Sequence, residues 1–323
     1  MNVGEITIPE QKVIEGQPFP AVLSPQGSPS RQAAVAWLRD NGDAIRQRAL
    51  EAGAVLLRGF PLSCPEDFDA AITAAGFKGM PYVGGAAPRR EVVASRVLTT
   101  NESPPEEPIP FHHEMSQVPN PPAYIFFYCD VPPETGGETP IVLSNRVYKR
   151  FYDINPGFAD QMEAQGARYV RVMPDQDDDS SPIGRSWRAT FQAEARDQAE
   201  GVMREAGMQW EWLDSGDLWT ITRALPAIRT DPRSLKKTFF NSVVAAYTGW
   251  TDQRNDPKKA VRLGDDSPVD GDALSATADA MQQECVAFRW QKGDLLVIDN
   301  ALVMHSRRPF TGPRRILASI ASG

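Results

Sequence analysis

The chain has 323 residues, 41% of them hydrophobic and 24% charged, and its 42 acidic against 34 basic side chains give a formal charge of −8. These are the values of a globular protein, and an acidic chain without a basic stripe is a poor partner for nucleic acid or an anionic membrane. No apolar run approaches the roughly 18 residues of a membrane helix, and Met1–Glu5 has neither the basic start nor the apolar core of a signal peptide. Cys64, Cys129 and Cys285 lie far apart without a CxxC pair, so they read as reduced thiols and the expected location is cytoplasmic.

Residues 1–30, rich in Pro, Gly, Ser and Gln, read as an irregular arm with a short strand at most. Ala34, Leu38, Ile45 and Leu50 give an amphipathic helix over 31–52, with Asn41-Gly42 as a possible break. Ala54 to Arg58 reads as a buried strand, and a second helix starts near Pro65 with Glu66 and Asp67 in its first turn. The stretch 78–110 carries Gly84-Gly85, Pro104-Pro105 and Pro108, so it reads as a long loop around one strand, Val92 to Leu98. A loop of that length in a compact domain fits an active-site lid.

Ala123 to Cys129 is a strongly apolar strand, and Gly136-Gly137 turns the chain into another, Ile141 to Leu143. Helices are predicted near 144–152, 156–165, 193–206 and 270–284. Short strands are predicted at 168–173, 238–247, 286–290, 294–298 and 314–320. With no internal repeat or linker, 31–323 reads as one β-rich domain with helices packed outside it.

The three histidines of the chain are His112, His113 and His305. In extended backbone His112 and Glu114 project to one side and His113 to the other, because strand side chains alternate. Two such ligands and one distant His form the two-histidine, one-carboxylate face that holds non-haem Fe(II) and leaves positions open. A satisfied structural His is the ordinary reading of any one of them taken alone. Spacing excludes other sites: Gln117 stands where a zinc-protease helix needs its second His. In the acidic run from Asp175, Ser180 and Ser186 replace the glycine and glutamate of a calcium loop. About ten residues beyond His305, Arg314 and Arg315 can return on the next antiparallel strand and offer a guanidinium fork to a carboxylate cosubstrate. Strand alternation lets one of them face the cavity. Their bland reading is a surface pair at a strand end.

Pro110-Phe111-His112-x-Glu114-Met115-Ser116, Gly136-Gly137-Glu138-Thr139-Pro140 and the run from His305 to Leu317 resemble, in order, the motifs of the taurine dioxygenase/clavaminate synthase-like family of Fe(II)/2-oxoglutarate oxygenases. The resemblance runs from about Val55 to the C-terminus. It implies a mainly β fold with flanking helices, an α+β chain with a double-stranded β-helix (jelly-roll) core. It further implies Fe(II) on His112, Glu114 and His305, with 2-oxoglutarate and O₂ as cosubstrates. Thr139 and Arg315 would bind the distal carboxylate of 2-oxoglutarate. Arg315 is preferred to Arg314 because Ile316 and Leu317 follow it, as large apolar residues follow the family's arginine.

Ser319 stands where several relatives carry a further arginine, so that substrate contact does not carry over. Relatives that halogenate lack the carboxylate ligand, so Glu114 favours hydroxylation. The expected function is a dioxygenase, an oxidoreductase hydroxylating a small polar metabolite such as an amino acid or other carboxylate. Desaturation or ring formation on the same scaffold is the alternative, and a non-catalytic metal-containing binding protein is the rival from another class. Asn101 and Glu102, on the loop before the metal motif, and Arg185 and Asn241, on possible opposite walls, are the candidate substrate contacts. Each has an equally good structural reading.

Overall fold

The computed structural model describes residues 1–94 and 96–323. Its largest sheet is built on the strand Tyr124–Val131, which pairs antiparallel with Leu295–Asp299 on one side and Arg315–Ser322 on the other. The sheet continues through Ala54–Leu57, Ala21–Pro25 and Val3–Glu5 at one end. At the other it continues through Val97–Thr99 to Glu91–Val93. A second, three-stranded sheet runs Ile141–Leu143, Val303–Arg307, Ile109–His112. The two sheets form the expected jelly-roll core, with helices packed outside.

Alternation along Tyr124–Val131 explains its unbroken apolar sequence. Ile125, Phe127 and Cys129 pack toward the second sheet, against Ile141, Leu302 and Val303. Tyr124, Phe126 and Tyr128 point the other way, into a core shared with helices Arg31–Ala52 and Pro65–Ala74. A strand buried on both faces needs apolar residues at every position, and each large side chain so buried contributes about 1.5–3 kcal/mol. The second sheet is sandwiched in the same way. Val142 and Met304 face a separate core made with helices Ser144–Ile154, Val243–Gly249 and Gly271–Glu284.

Residues 1–30 are not an irregular arm. They carry the strands Val3–Glu5, Lys12–Ile14, Gln17–Phe19 and Ala21–Pro25, the last pairing parallel with Ala54–Leu57. Their Pro and Gly content serves tight turns between short strands, such as Glu15-Gly16. The strand expected over 92–98 includes Ser95, which lies outside the described residues; strands Glu91–Val93 and Val97–Thr99 stand on either side of it. The stretch 238–247, expected to be a strand, holds the start of the helix Val243–Gly249, where the buried Asn241 Oδ1 accepts from Val243 N–H. The stretch 286–290 contributes one isolated bridge, Val286 to Ile141.

The helix Arg31–Ala52 passes through Asn41-Gly42 without a break. It starts at Ser30, whose hydroxyl accepts from Ala33 N–H at 3.2 Å, and ends at Gly53 with φ 83°. Gly42 is there because the helix crosses the end of Pro65–Ala74 closely: a Cβ at this position would lie 2.2 Å from the Ala75 carbonyl oxygen. In an exposed helix Gly→Ala stabilises by about 1 kcal/mol. Here the sign should reverse. Gly42→Ala is expected to destabilise by about 1–3 kcal/mol, the usual cost of overpacking, as read by denaturant or thermal unfolding.

Candidate metal centre and cosubstrate pocket

His112 and His305 are directly opposite each other on adjacent antiparallel strands of the second sheet. That register brings the two rings to 4.3 Å between centroids, with Phe127 of the large sheet 5.0 Å from the His305 ring. Glu114 arrives by a different route from the extended one read in the sequence. Its strand ends at His112, and the chain turns at Glu114-Met115, with Met115 at φ 52°. Asn300 fixes that turn: its Oδ1 accepts from Glu114 N–H at 2.9 Å, and its Nδ2 donates to the Glu114 and Pro122 carbonyls at 3.0 and 2.8 Å.

Ligand atoms of His112, Glu114 and His305 then lie within 4.8 Å of one another. His112 Nδ1 lies 2.9 Å from the Pro110 carbonyl. A carbonyl can only accept, so Nδ1 carries the proton and Nε2 keeps its lone pair. Burial first, then the nearby His305, lowers the His112 pKa to about 4, so the ring is a neutral donor. Burial alone would raise the Glu114 pKa, but the Arg89 cation and the two histidines outweigh it and hold the carboxyl well below its usual range. One anionic oxygen donor and two imidazoles at one cavity wall suit a divalent transition metal with open positions. Iron fits these residues.

His113 has another task. Its Nδ1 donates to the Asn300 carbonyl at 2.5 Å and its Nε2 accepts from the Ser144 hydroxyl at 2.9 Å, deep in the protein. Burial pushes its pKa down to about 3. It is a structural histidine, facing away from the other two.

A cavity of about 390 Å³ opens over this wall, and Thr139 and Arg314 line it. Thr139 Oγ1 accepts from Trp290 Nε1 at 3.3 Å, which leaves its hydroxyl proton free to donate. Arg314 donates from Nε to the Gly137 carbonyl at 2.9 Å. That carbonyl is presented by a turn in which Gly136 and Gly137 both have positive φ (67° and 68°). No carboxylate lies within ion-pair distance of Arg314 among the described residues, and burial and the Arg307 cation press its pKa down to about 9. An enclosed cation without a counter-ion calls for an anion.

Arg315, preferred from the sequence, is placed elsewhere. It begins the strand Arg315–Ser322 on the outer side, exposed and paired with Asp130 at 2.9 Å. The apolar pair Ile316-Leu317 that favoured it does not mark the inward arginine, because Arg314 precedes the strand and alternation does not govern it.

The candidate substrate contacts divide. Asn101 lines the cavity, with its Nδ2 donating to the Pro182 carbonyl and its Oδ1 accepting from Ser103 N–H. Glu102 is exposed and paired with Arg90 at 2.9 Å, off the cavity wall. Arg185 sits one layer back, 5.2 Å from the Tyr82 ring and donating to the Ala189 carbonyl. Asn241 spends both ends of its amide on the backbone of Ala227 and Val243.

Two residues went unnoticed in the sequence as cavity components. Arg89 donates from Nη2 to both Glu114 carboxylate oxygens, at 3.0 and 2.9 Å, across 25 residues. Arg307 donates to the carbonyls of Asn101, Ser103, Pro104 and Glu107, at 2.5–3.3 Å, and so ties the segment before the metal motif to the strand that carries His305. Arg89 lies in no motif, and Arg307, although inside the run from His305 to Leu317, had no cavity role read for it. A second, apolar cavity of about 160 Å³ shares Ala86, Gln117 and Trp250 with the first.

The family model of the taurine catabolism dioxygenases, TauD and TfdA, matches residues 24–320. A clavaminate synthase-like protein of Arabidopsis thaliana is 48% identical over 322 residues, 98% of this chain and 97% of its own. Among solved structures, PvcB of Pseudomonas aeruginosa superposes with a TM-score of 0.56 at 14% identity, over 99% of this chain and 91% of that one. Asparagine oxygenase, in complex with Fe(II), 3-hydroxyasparagine and succinate, gives 0.55 at 14% identity over 90% and 83%. The chain belongs to the TauD/TfdA family and is a 2-oxoglutarate-dependent non-haem iron oxygenase. Fe(II), 2-oxoglutarate and O₂ are its cofactor and cosubstrates. No helix among the described residues is long and apolar enough to cross a membrane.

Asn300→Ala would leave the Glu114 N–H and two carbonyls without partners. Each such loss costs about 1–3 kcal/mol, and disturbing the support of a metal ligand typically costs about 10–100-fold in metal affinity. The variant is expected to melt earlier and to bind Fe(II) or Co(II) more weakly, as measured by calorimetric titration.

Proposed function

We propose that His112, Glu114 and His305 hold Fe(II), that Arg314 and Thr139 receive the distal carboxylate of 2-oxoglutarate, and that the enzyme hydroxylates an unactivated C–H bond of a small polar metabolite, an amino acid or other carboxylate, with release of succinate and CO₂. The observation that carries this reading is the convergence of the three ligands and the uncompensated Arg314 on one cavity wall.

Bound iron supplies O₂ activation coupled to oxidative decarboxylation of the cosubstrate. The chain supplies the setting. Pro110 and Asn300 orient the His112 ring and the Glu114 turn, so the ligand set is assembled before metal arrives. Arg314 gives the cosubstrate a fixed charge partner, and the Thr139 hydroxyl adds a neutral donor. Phe127 and Met115, apolar and buried beside the histidines, limit water at the centre. The presence of a carboxylate ligand, Glu114, supports oxygenation over halogen transfer.

Anaerobic addition of Fe(II) and then 2-oxoglutarate should produce a weak visible charge-transfer band, and aerobic turnover should release succinate. His112→Ala should lose both; a His112→Ala protein that still consumed 2-oxoglutarate at the wild-type rate would sink the ligand assignment. The two adjacent arginines give a sharper test. Arg314→Ala truncates an enclosed charge pair, a loss of about 2–5 kcal/mol, so the KM for 2-oxoglutarate should rise by roughly 30-fold or more. Arg315→Ala removes an exposed ion pair worth about 0–1 kcal/mol, and should leave that KM within about two- to threefold of the wild type.

A further inference from the structure

We propose that Arg89 is the anchor for a carboxylate carried by the substrate itself, a second anion site in the cavity beside the one assigned to 2-oxoglutarate. The assignment rests on the reading above and deepens it.

Arg89 lies on the cavity wall with its side chain 5% exposed. Its Nη2 alone serves Glu114. Nε and Nη1 are buried and have no acceptor, which leaves one N–H on Nε and two on Nη1 unused. Among the described residues no other arginine has two buried nitrogens in that state. The guanidinium is also held in place, 4.3 Å over the face of Tyr82. Its free donors are therefore presented by a fixed group, since the stack and the Glu114 pair restrain it on two sides.

Charge points the same way. The charged residues on the cavity wall are Arg89, Arg307 and Arg314 against Glu107 and Glu114, an excess of one positive charge. Fe(II) and the 2-oxoglutarate dianion bring equal and opposite charges, so the loaded centre keeps that excess. Arg307 spends both Nη groups on four backbone carbonyls and keeps a single buried N–H, on Nε, without an acceptor, and Arg314 is taken by the cosubstrate in the proposed function. Most of the remaining unmet donors, three N–H groups on two nitrogens, belong to Arg89, which is paired directly with the proposed ligand Glu114. A monoanionic carboxylate there would meet them, neutralise the cavity and hold its own carbon skeleton in the cavity beside His112, Glu114 and His305.

The test uses propanoate and its neutral isostere propanamide on the full-length protein, loaded anaerobically with Fe(II) and saturating 2-oxoglutarate, with the charge-transfer band and calorimetry as readouts. Propanoate is expected to shift the band without abolishing it and to bind roughly tenfold or more tightly than propanamide, the advantage of a charge-assisted hydrogen bond. Arg89→Gln should still form the band, and should bind propanoate no better than propanamide; Arg89→Lys, which keeps the cation, should retain the preference. The assignment is overturned if wild-type protein ignores propanoate, if it treats the two probes alike, or if Arg89→Gln keeps the preference. If Arg89→Gln and Arg89→Lys both lose bound iron, Arg89 is a positioning residue for Glu114 and the anchor is likewise rejected. A wild-type protein that binds iron yet forms no band with 2-oxoglutarate overturns the proposed function as well, and shows it before propanoate is added.

Discussion

The structure depends on one cross-strand pair, His112 opposite His305. Two strands nearly two hundred residues apart in sequence must meet in a single register for the rings to share a wall. A slip of one residue would turn His305 from the cavity to the opposite face, because side chains alternate with period two. What prevents the slip is that the three-stranded sheet is buried on both sides. Ile141 and Val303 are committed to the core between the sheets, Val142 and Met304 to the core under the helices. The register is thus set by apolar packing, and the proposed metal ligands inherit it.

Around that pair the cavity arranges three arginines, each partnered differently. Arg307 donates to four peptide carbonyls, Arg89 to the carboxylate of Glu114, and Arg314 to a single carbonyl in the Gly136-Gly137 turn. A cation spread over neutral carbonyls is structural. A cation paired with a carboxylate lowers that carboxylate's pKa and can still offer its unused N–H groups, and a cation left nearly bare in an enclosed space favours an anion. The gradation from Arg307 to Arg314 separates a cation that holds the scaffold from the cations proposed to bind anions.

The centre of this arrangement was legible in the sequence because its carriers are rare or strongly patterned. Three histidines in 323 residues leave few combinations, and the unbroken apolar run Tyr124 to Cys129 marks a strand buried on both faces. The route by which Glu114 reaches the site was not legible. It depends on Asn300, a residue 186 positions away whose amide shapes the turn. Arg314 and Arg315 were separable only by tertiary structure, since the choice turns on where the strand begins. Val243–Gly249 has the β-branched start of a strand, yet its surroundings make it a helix. Arg89 gave no signal: it lies in a loop, in no motif, and its meaning comes entirely from its neighbours. Glu102, Arg185 and Asn241 were adjacent to plausible walls, and proximity in sequence did not place their side chains in the cavity.

The bonds that Arg307 makes all end on main-chain oxygens, at Asn101, Ser103, Pro104 and Glu107. Peptide carbonyls are the same whatever side chain they accompany. The bonds from Arg307 therefore tether the segment without constraint on its residue types, apart from those whose backbone cannot adopt the path. Side chains that make no bonds of their own, unlike Asn101, can be exchanged while the anchor point and the His305 strand stay as they are. In evolutionary terms, this tether would let the segment beside the cavity drift more freely than the strand pair on which the proposed metal site rests.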